Sequence, residues 1–360
     1  MPSVFVPRSV ISGGDRYGTH RAISPKGGLP QPAETVDADF ARLFEGEVLL
    51  AVETLNVDAA SFVQMEKAAA EAGEADLDAG VARRVMETVE ARGKQHNPVT
   101  GSGGMLLGRV LQIAPGRKKE ALAVGDRVAS LVSLSLTPLK IDRVKAVRRA
   151  SAQLDVDGEA VLFASGAYAR LPSDMPERLA LAVLDVAGAA PQVARLVKPG
   201  ATVLVLGAGG KSGILCCAEA RRAGGPSARI LGVESFPRAA DELRALGICD
   251  AVFAADARDP IAVRRAVLEA NGGREVDVTF SCVNVPDAEM AAIMCTRDRG
   301  TVYFFAMSTS FTKAALGAEG VGKDVDLFIG NGYAHAHAEH SLAMIREMPK
   351  IRALLEKRYT

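Results

Sequence analysis

Tryptophan is absent and aromatic residues make up only 5% of the chain. The interior must therefore be built from Val, Leu and Ala rather than around large rings. An excess of either charge is also missing. Lys+Arg numbers 43 and Asp+Glu numbers 43, for a formal net charge of zero, which argues against a surface made for nucleic acid or another polyanion. No apolar run approaches the roughly 18 residues needed to cross a membrane. The opening stretch Met1-Pro-Ser-Val-Phe-Val-Pro-Arg8 lacks the charged-then-apolar order of a secretion signal, so none is expected. Cysteine is scarce and odd in number: Cys216, Cys217, Cys249, Cys282 and Cys295. That count argues against a disulfide framework and fits a reducing cytoplasm. Internal repeats and low-complexity tracts are lacking as well.

What is present is the balance of a globular enzyme: 360 residues, 48% apolar, 24% charged, with 35 glycines. The length predicts two domains. In the second half, short apolar runs alternate with helical stretches. Thr202–Leu206, Arg229–Glu234, Ala251–Ala254, Val276–Ser281, Thr301–Phe305 and Asp326–Ile329 read as strands. Residues 211–224, 237–247, 258–270 and 287–297 read as helices. Buried strands alternating with helices predict a parallel, doubly wound sheet of six strands. The first half is mostly β, with strands at Gly46–Thr54, Gly108–Ala114 and Asp126–Val132. A helical insertion at 62–95 interrupts it, where Val81, Val85 and Val89 form one apolar face and Gly93 a C-cap. The expected divisions are 1–185, 186–330 and a helical C-terminal segment at 331–360 that returns toward the cleft.

Gly207-Ala-Gly209-Gly210-Lys211-Ser212-Gly213 follows the first strand of the second half and opens a helix. Glycines there let backbone N–H groups approach a pyrophosphate at the positive end of the helix. Glu234 ends the next strand, somewhat beyond the usual spacing of about 20 residues. Such an acid accepts hydrogen bonds from the adenosine ribose and repels a 2′-phosphate, which favours NAD over NADP. Gly210-Lys211-Ser212 looks like the end of a phosphate-binding P-loop, but that motif needs a glycine where Val205 stands. The dinucleotide pattern departs from the norm too. Ser212 stands where the third glycine is expected and Gly213 comes one place later, which leaves the start of the helix open.

Gly46-Glu-Val-Leu-Leu-Ala-Val-Glu, Gly108-Arg-Val-Leu-Gln-Ile-Ala-Pro-Gly, Val124-Gly-Asp-Arg-Val128 and Val197-Lys-Pro-Gly200 before the glycine-rich turn resemble the medium-chain dehydrogenase/reductase superfamily. His20-Arg-Ala-Ile-Ser-Pro-Lys26, Leu29-Pro-Gln-Pro32 and Lys94-Gln-His-Asn-Pro-Val-Thr-Gly-Ser-Gly-Gly-Met105 resemble, within it, the family of L-erythro-3,5-diaminohexanoate dehydrogenases. The resemblance implies a GroES-like β domain beside a Rossmann domain, with the active site in the cleft between them. It also implies NAD-dependent oxidative deamination in lysine degradation, giving 5-amino-3-oxohexanoate, ammonia and NADH. In that fold Cys282, Val283, Asn284, Ala306 and Met307 face the cofactor, together with Gly207, Gly209, Gly210, Lys211, Ser212, Gly213 and Glu234.

The zinc enzymes of this superfamily hold their metal with Cys, His and Cys. Here Asp58 falls at the first position and Gly104 at the histidine, and no cysteine precedes Cys216. One acid cannot make a catalytic zinc site, so no metal is expected. His335, His337 and His340 remain, either as a metal cluster or as a helix start. Oxidising an amine without metal needs a neutral amine, a hydride facing the nicotinamide, and a water with a base in reach to open the iminium. A diamino acid also needs a carboxylate for its second ammonium. The cleft segments in this fold make Asp58, His96, Asn97, Thr100 and Ser102 candidates. Asp58 would anchor the ammonium or simply cap a helix. His96 would relay a proton at neutral pH, or form a rigid turn with Asn97 and Pro98. Two other functions stay open: a zinc-free enoyl or quinone reductase, and a non-catalytic NAD(H)-binding protein. The expected partners are a small diamino acid and a second copy of the chain, paired through the apolar edge strand Asp326–Ile329.

Overall fold

The run Val48-Leu-Leu-Ala-Val-Glu-Thr-Leu-Asn56 is long, apolar and β-branched enough to form a central strand, and the first unit is assembled around it. The computed structural model describes residues 5–97, 103–117, 122–306, 308–330 and 332–360. In the first unit β1 (Ser9–Ile11), β2 (Ala22–Ser24), β3 (Thr35–Val36) and β4 (Arg42–Phe44) make two small pairs, β1 with β4 and β2 with β3. The main sheet contains β5 (Val48–Asn56), β6 (Met105–Ile113), β7 (Arg127–Ser130), β8 (Leu139–Arg148), β9 (Gln153–Leu162) and β10 (Tyr168–Arg170). It is antiparallel throughout, in the order β10-β7-β6-β5-β9-β8. The expected insertion is a helical hairpin, α1 (Ala59–Glu71) and α2 (Leu77–Arg92). Asp76 caps α2 by accepting from the N–H groups of Asp78 and Ala79, and Gly93 ends it in the left-handed conformation. Val81, Val85 and Val89 are buried in one core with Val48, Leu50 and Leu106 of the sheet.

The second unit begins at Pro172 and runs to Thr360. The first domain was expected to continue to residue 185, with a separate segment from 331; the compact units divide at Leu171 instead. Packing explains this. Helix α3 (Glu177–Leu184) lies against α10 (His337–Glu347) and α11 (Pro349–Tyr359), and Arg346 grips Asp174 with bonds of 2.7 and 3.0 Å. The sheet comprises β11 (Thr202–Leu206), β12 (Arg229–Glu234), β13 (Ala251–Ala254), β14 (Val276–Ser281), β15 (Thr296–Phe304) and β16 (Asp326–Ile329). All of its pairings are parallel and its order is β13-β12-β11-β14-β15-β16. This is the doubly wound order, whose direction reverses between β11 and β14, and ligands of such sheets bind at that reversal, beyond the carboxyl ends of the strands. The connecting helices are α5 (Lys211–Gly224), α6 (Pro237–Leu246), α7 (Pro260–Ala270), α8 (Glu289–Cys295) and α9 (Phe311–Gly320), while α4 (Ala189–Leu196) precedes the sheet and packs on α5.

Candidate functional site

A cavity of about 590 Å³ lies at the strand reversal, lined by Gly207, Gly209, Gly210, Glu234, Cys282, Val283 and Asn284 among others. Strand β11 stops at Leu206, and the N–H groups of Gly207 and Ala208 both reach the Val233 carbonyl, at 2.9 and 3.0 Å. Helix α5 starts at Lys211 with Gly210 as its N-cap, and no side chain caps it. Its first-turn N–H groups are therefore the kind of donors that accept an anion. The displaced third glycine is explained by contact. A Cβ at Gly213 would sit 2.1 Å from the Gly207 carbonyl oxygen, so Gly213, not Ser212, is the position where helix and turn pack without a side chain.

Glu234 is buried, and its carboxylate curls onto this turn. Oε2 accepts from the Gly209 N–H at 3.0 Å, and Oε1 accepts from the Phe236 N–H at 3.0 Å. Asp256 and Arg258 also line the cavity. Arg258 bonds both oxygens of Asp256, at 3.1 and 3.0 Å through Nε, and this pairing pulls the Asp256 carboxyl down to about 2. The cavity thus carries two carboxylates against one guanidinium that is already engaged. Lys211, Ser212, Gly213 and Ala306 do not line it. Lys211 turns to Asp185, 2.6 Å away, and the Ala306 N–H donates to the Ser281 carbonyl. Met307 lies outside the described residues.

In the first unit, Asp58 caps α1. Its Oδ1 accepts from the Ser61 N–H at 3.0 Å, and its Oδ2 takes a short hydrogen bond from the Ser61 hydroxyl. The Asn97 amide in turn donates to Ser61 Oγ at 2.7 Å and to Gln64 Oε1 at 2.8 Å. Asp58 and Asn97 are therefore joined through Ser61, a residue sequence reasoning passed over. His96 stands apart from that chain. Its Nδ1 accepts from Arg92 at 3.3 Å. Burial, then the charges of Lys94 and Arg92, push its pKa below the usual imidazole value. Thr100 and Ser102 lie outside the described residues.

Lys94 is a second residue that sequence reasoning passed over. It is fully buried, and its Nζ donates to the carbonyls of Pro30 and Gln31 at 2.6 and 3.0 Å, tying together the two segments that carried the family resemblance. Burial lowers its pKa to about 8.

Gly104 sits at φ +87, and a Cβ there would be 2.1 Å from the Asn56 carbonyl oxygen. No histidine side chain can be placed at that position without moving β5. Among the described residues no group of three or more His, Cys, Asp or Glu side chains converges to hold a metal. His340 reaches Glu219 at 3.2 Å, His337 is buried against the Tyr333 ring, and His335 lines a separate cavity with Tyr303 and Phe328.

Residues 20–172 match the model of the L-erythro-3,5-diaminohexanoate dehydrogenase N-terminal domain. The chain is 51% identical over 347 residues to the L-erythro-3,5-diaminohexanoate dehydrogenase of Acetoanaerobium sticklandii, covering 96% of this chain and 99% of that protein. It is 48% identical over 347 residues to the enzyme of the same name from Fusobacterium nucleatum, with the same coverage of 96% and 99%. Among solved structures, a mycobacterial quinone oxidoreductase is similar at a TM-score of 0.52 and 20% identity, over 92% of this chain and 84% of that one. The Escherichia coli quinone oxidoreductase complexed with NADPH is similar at 0.51 and 18%, over 85% and 80%. At such identities these two likenesses concern the fold.

Proposed function

The chain belongs to the L-erythro-3,5-diaminohexanoate dehydrogenase family, and from that membership we propose that it oxidatively deaminates L-erythro-3,5-diaminohexanoate with NAD, giving 5-amino-3-oxohexanoate, ammonia and NADH in lysine degradation. As a dehydrogenase it is an oxidoreductase. The glycine-rich turn fits a nicotinamide dinucleotide, because its backbone is bare where a Cβ at Gly209 would touch Glu234 at 2.8 Å and because the N-terminus of α5 has no side-chain cap. NAD, once bound, supplies the hydride acceptor. Residues of this chain do the rest. The turn and the first N–H groups of α5 hold the pyrophosphate, Glu234 receives the ribose hydroxyls, and Val283 and Asn284 line the cavity beside the turn. In the first unit, Asp58 takes the substrate's second ammonium, oriented by Ser61 and Asn97. His96 takes up a proton during opening of the iminium at Nδ1, giving up its bond from Arg92 as it does so. No zinc enters this scheme. Cys216, Cys217, Cys249, Cys282 and Cys295 are free thiols, in keeping with a cytoplasmic enzyme, and no single helix among the described residues is long and apolar enough to cross a membrane.

The observation that carries the choice of NAD is the Glu234 carboxylate at the cavity wall, reinforced by Asp256 and by an Arg258 already paired. A 2′-phosphate would meet two negative groups there. Arg238, four residues after Glu234, does not line the cavity and pairs with Glu242 at 3.4 Å. Glu234→Ala should weaken NAD by about 1.5–3 kcal/mol, the worth of hydrogen bonds to a charged group, and weaken NADP less. KM and kcat for both cofactors in wild type and variant test this. A wild type that prefers NADP, or a ratio that does not move, removes Glu234 from cofactor selection.

A further inference from the structure

The last residues of the chain reach back to the glycine-rich turn. Arg358, on the final turn of α11, donates from Nη1 to the Gly209 carbonyl at 2.6 Å. Its other nitrogens are fixed by Glu242 of α6, with Nε and Nη2 bonding Oε2 at 3.0 and 2.5 Å. That ion pair holds the Glu242 carboxyl below its usual range and aims the guanidinium. The next residue, Tyr359, presents its ring to the ammonium of Lys211, 5.4 Å from the ring centroid, while Asp185 holds the same ammonium at 2.6 Å. Gly209 is thus gripped on both sides by charge: Glu234 takes its N–H at 3.0 Å and Arg358 takes its C=O. A glycine is the residue with most conformational freedom to lose on being ordered, and this one stands where a pyrophosphate would pass.

We infer that Arg358 is a positioning residue for cofactor binding: the C-terminal helix clamps the glycine-rich turn in its binding conformation before the dinucleotide arrives. Pre-organisation of this kind improves affinity by removing an ordering cost rather than by adding a contact to the ligand. It should therefore act on NAD and NADP alike, unlike Glu234. The inference rests on the nicotinamide reading of the cavity.

The test is fluorescence titration of the full-length protein with NADH, for wild type, Arg358→Met, Arg358→Lys and Glu242→Gln. It is paired with kcat at saturating cofactor and the NAD/NADP KM ratio. Arg358→Met removes one charge-assisted hydrogen bond from the turn, and because only part of its worth reaches cofactor affinity, the Kd should rise about three- to tenfold. Glu242→Gln should fall between it and wild type, Arg358→Lys should recover part of the loss, and kcat and the KM ratio should stay within about twofold. Unchanged Kd in both Arg358→Met and Glu242→Gln overturns the clamp. So does a weakening that Lys does not relieve and that brings down kcat in step, since that marks general loss of structure. If Arg358→Met does not fold, Glu242→Gln decides alone. A wild type that binds NADH while the variants bind it equally well sinks only the clamp, whereas a wild type that binds no NADH sinks the nicotinamide reading and the clamp with it.

Discussion

Asp58 is the N-cap of α1 and accepts from the Ser61 N–H; the proposed function asks the same carboxylate to be the counter-charge for an ammonium. The two roles separate by substitution. Asn caps helices about as well as Asp, so Asp58→Asn should keep the melting temperature within a few degrees, whereas kcat/KM for the diamino acid should fall by about 2–5 kcal/mol, the range for losing one member of a buried charge pair. Unchanged kcat/KM in that variant would leave Asp58 as a cap alone. The cap was legible in the sequence, because an Asp just ahead of a helical run is a preferred N-cap. Ser61 and Gln64 were not legible, because their meaning depends on Asn97 arriving from another part of the chain. His337 gives a pH prediction. Burial holds its folded pKa below the unfolded value near 6.5, so the unfolded chain binds the proton more readily. The cost is absent above 6.5 and grows as pH falls through that value. His337→Gln should therefore lose less melting temperature than wild type between neutral pH and about pH 5. Parallel melting curves in the two proteins would contradict that assignment.

At the level of elements, the parallel sheet was readable almost strand for strand, because continuous apolar runs ended by glycine or an acid are the signature of strands buried on both faces. The exception is β15. It begins at Thr296, but its regular register with β14 resumes only at Thr301 after an irregularity, which is where the apolar run begins. Other elements were not readable, the β8–β9 hairpin and α9 among them. The hairpin of β8 and β9 has an exposed face and carries charge along most of β8, so its alternation is faint. Helix α9 is announced mainly by the Ser310 cap, which accepts from the Lys313 N–H. The start of α5 was undecided in the sequence because nothing local separates Ser212 from Gly213; the deciding contact, with the Gly207 carbonyl, exists only once the turn is folded. Gly213→Ala should force that turn apart, destabilise the protein by about 1–3 kcal/mol and abolish NADH binding. Ser212→Ala should do neither. Thermal melts and NADH titration of the two variants separate them, and a Gly213→Ala protein that binds NADH normally would show that the turn tolerates the methyl group.

For the whole molecule, the sheet edge poses the clearest demand. Among the described residues strand β16 pairs with β15 on one side only, and Phe328 and Ile329 on it are 40% and 63% exposed. An apolar edge of this kind invites a partner, and symmetric pairing of two copies covers β16 in both within a closed dimer. Light scattering at micromolar concentration should give twice the chain mass of 37.7 kDa; a mass of 37.7 kDa would refute the pairing, and Ile329→Lys should shift the protein toward that monomer. The family, by contrast, was legible from short stretches of sequence, since His20–Lys26, Leu29–Pro32 and Lys94–Met105 carry the resemblance that the match across the chain bears out. The activity itself is settled most directly by incubating the purified protein with L-erythro-3,5-diaminohexanoate and NAD and following NADH absorbance and released ammonia together. The two should appear in equal amounts, with no metal added and with quinones and enoyl thioesters inert in the reverse direction. NADH-dependent reduction of a quinone or enoyl substrate with no turnover of the diamino acid would contradict the account.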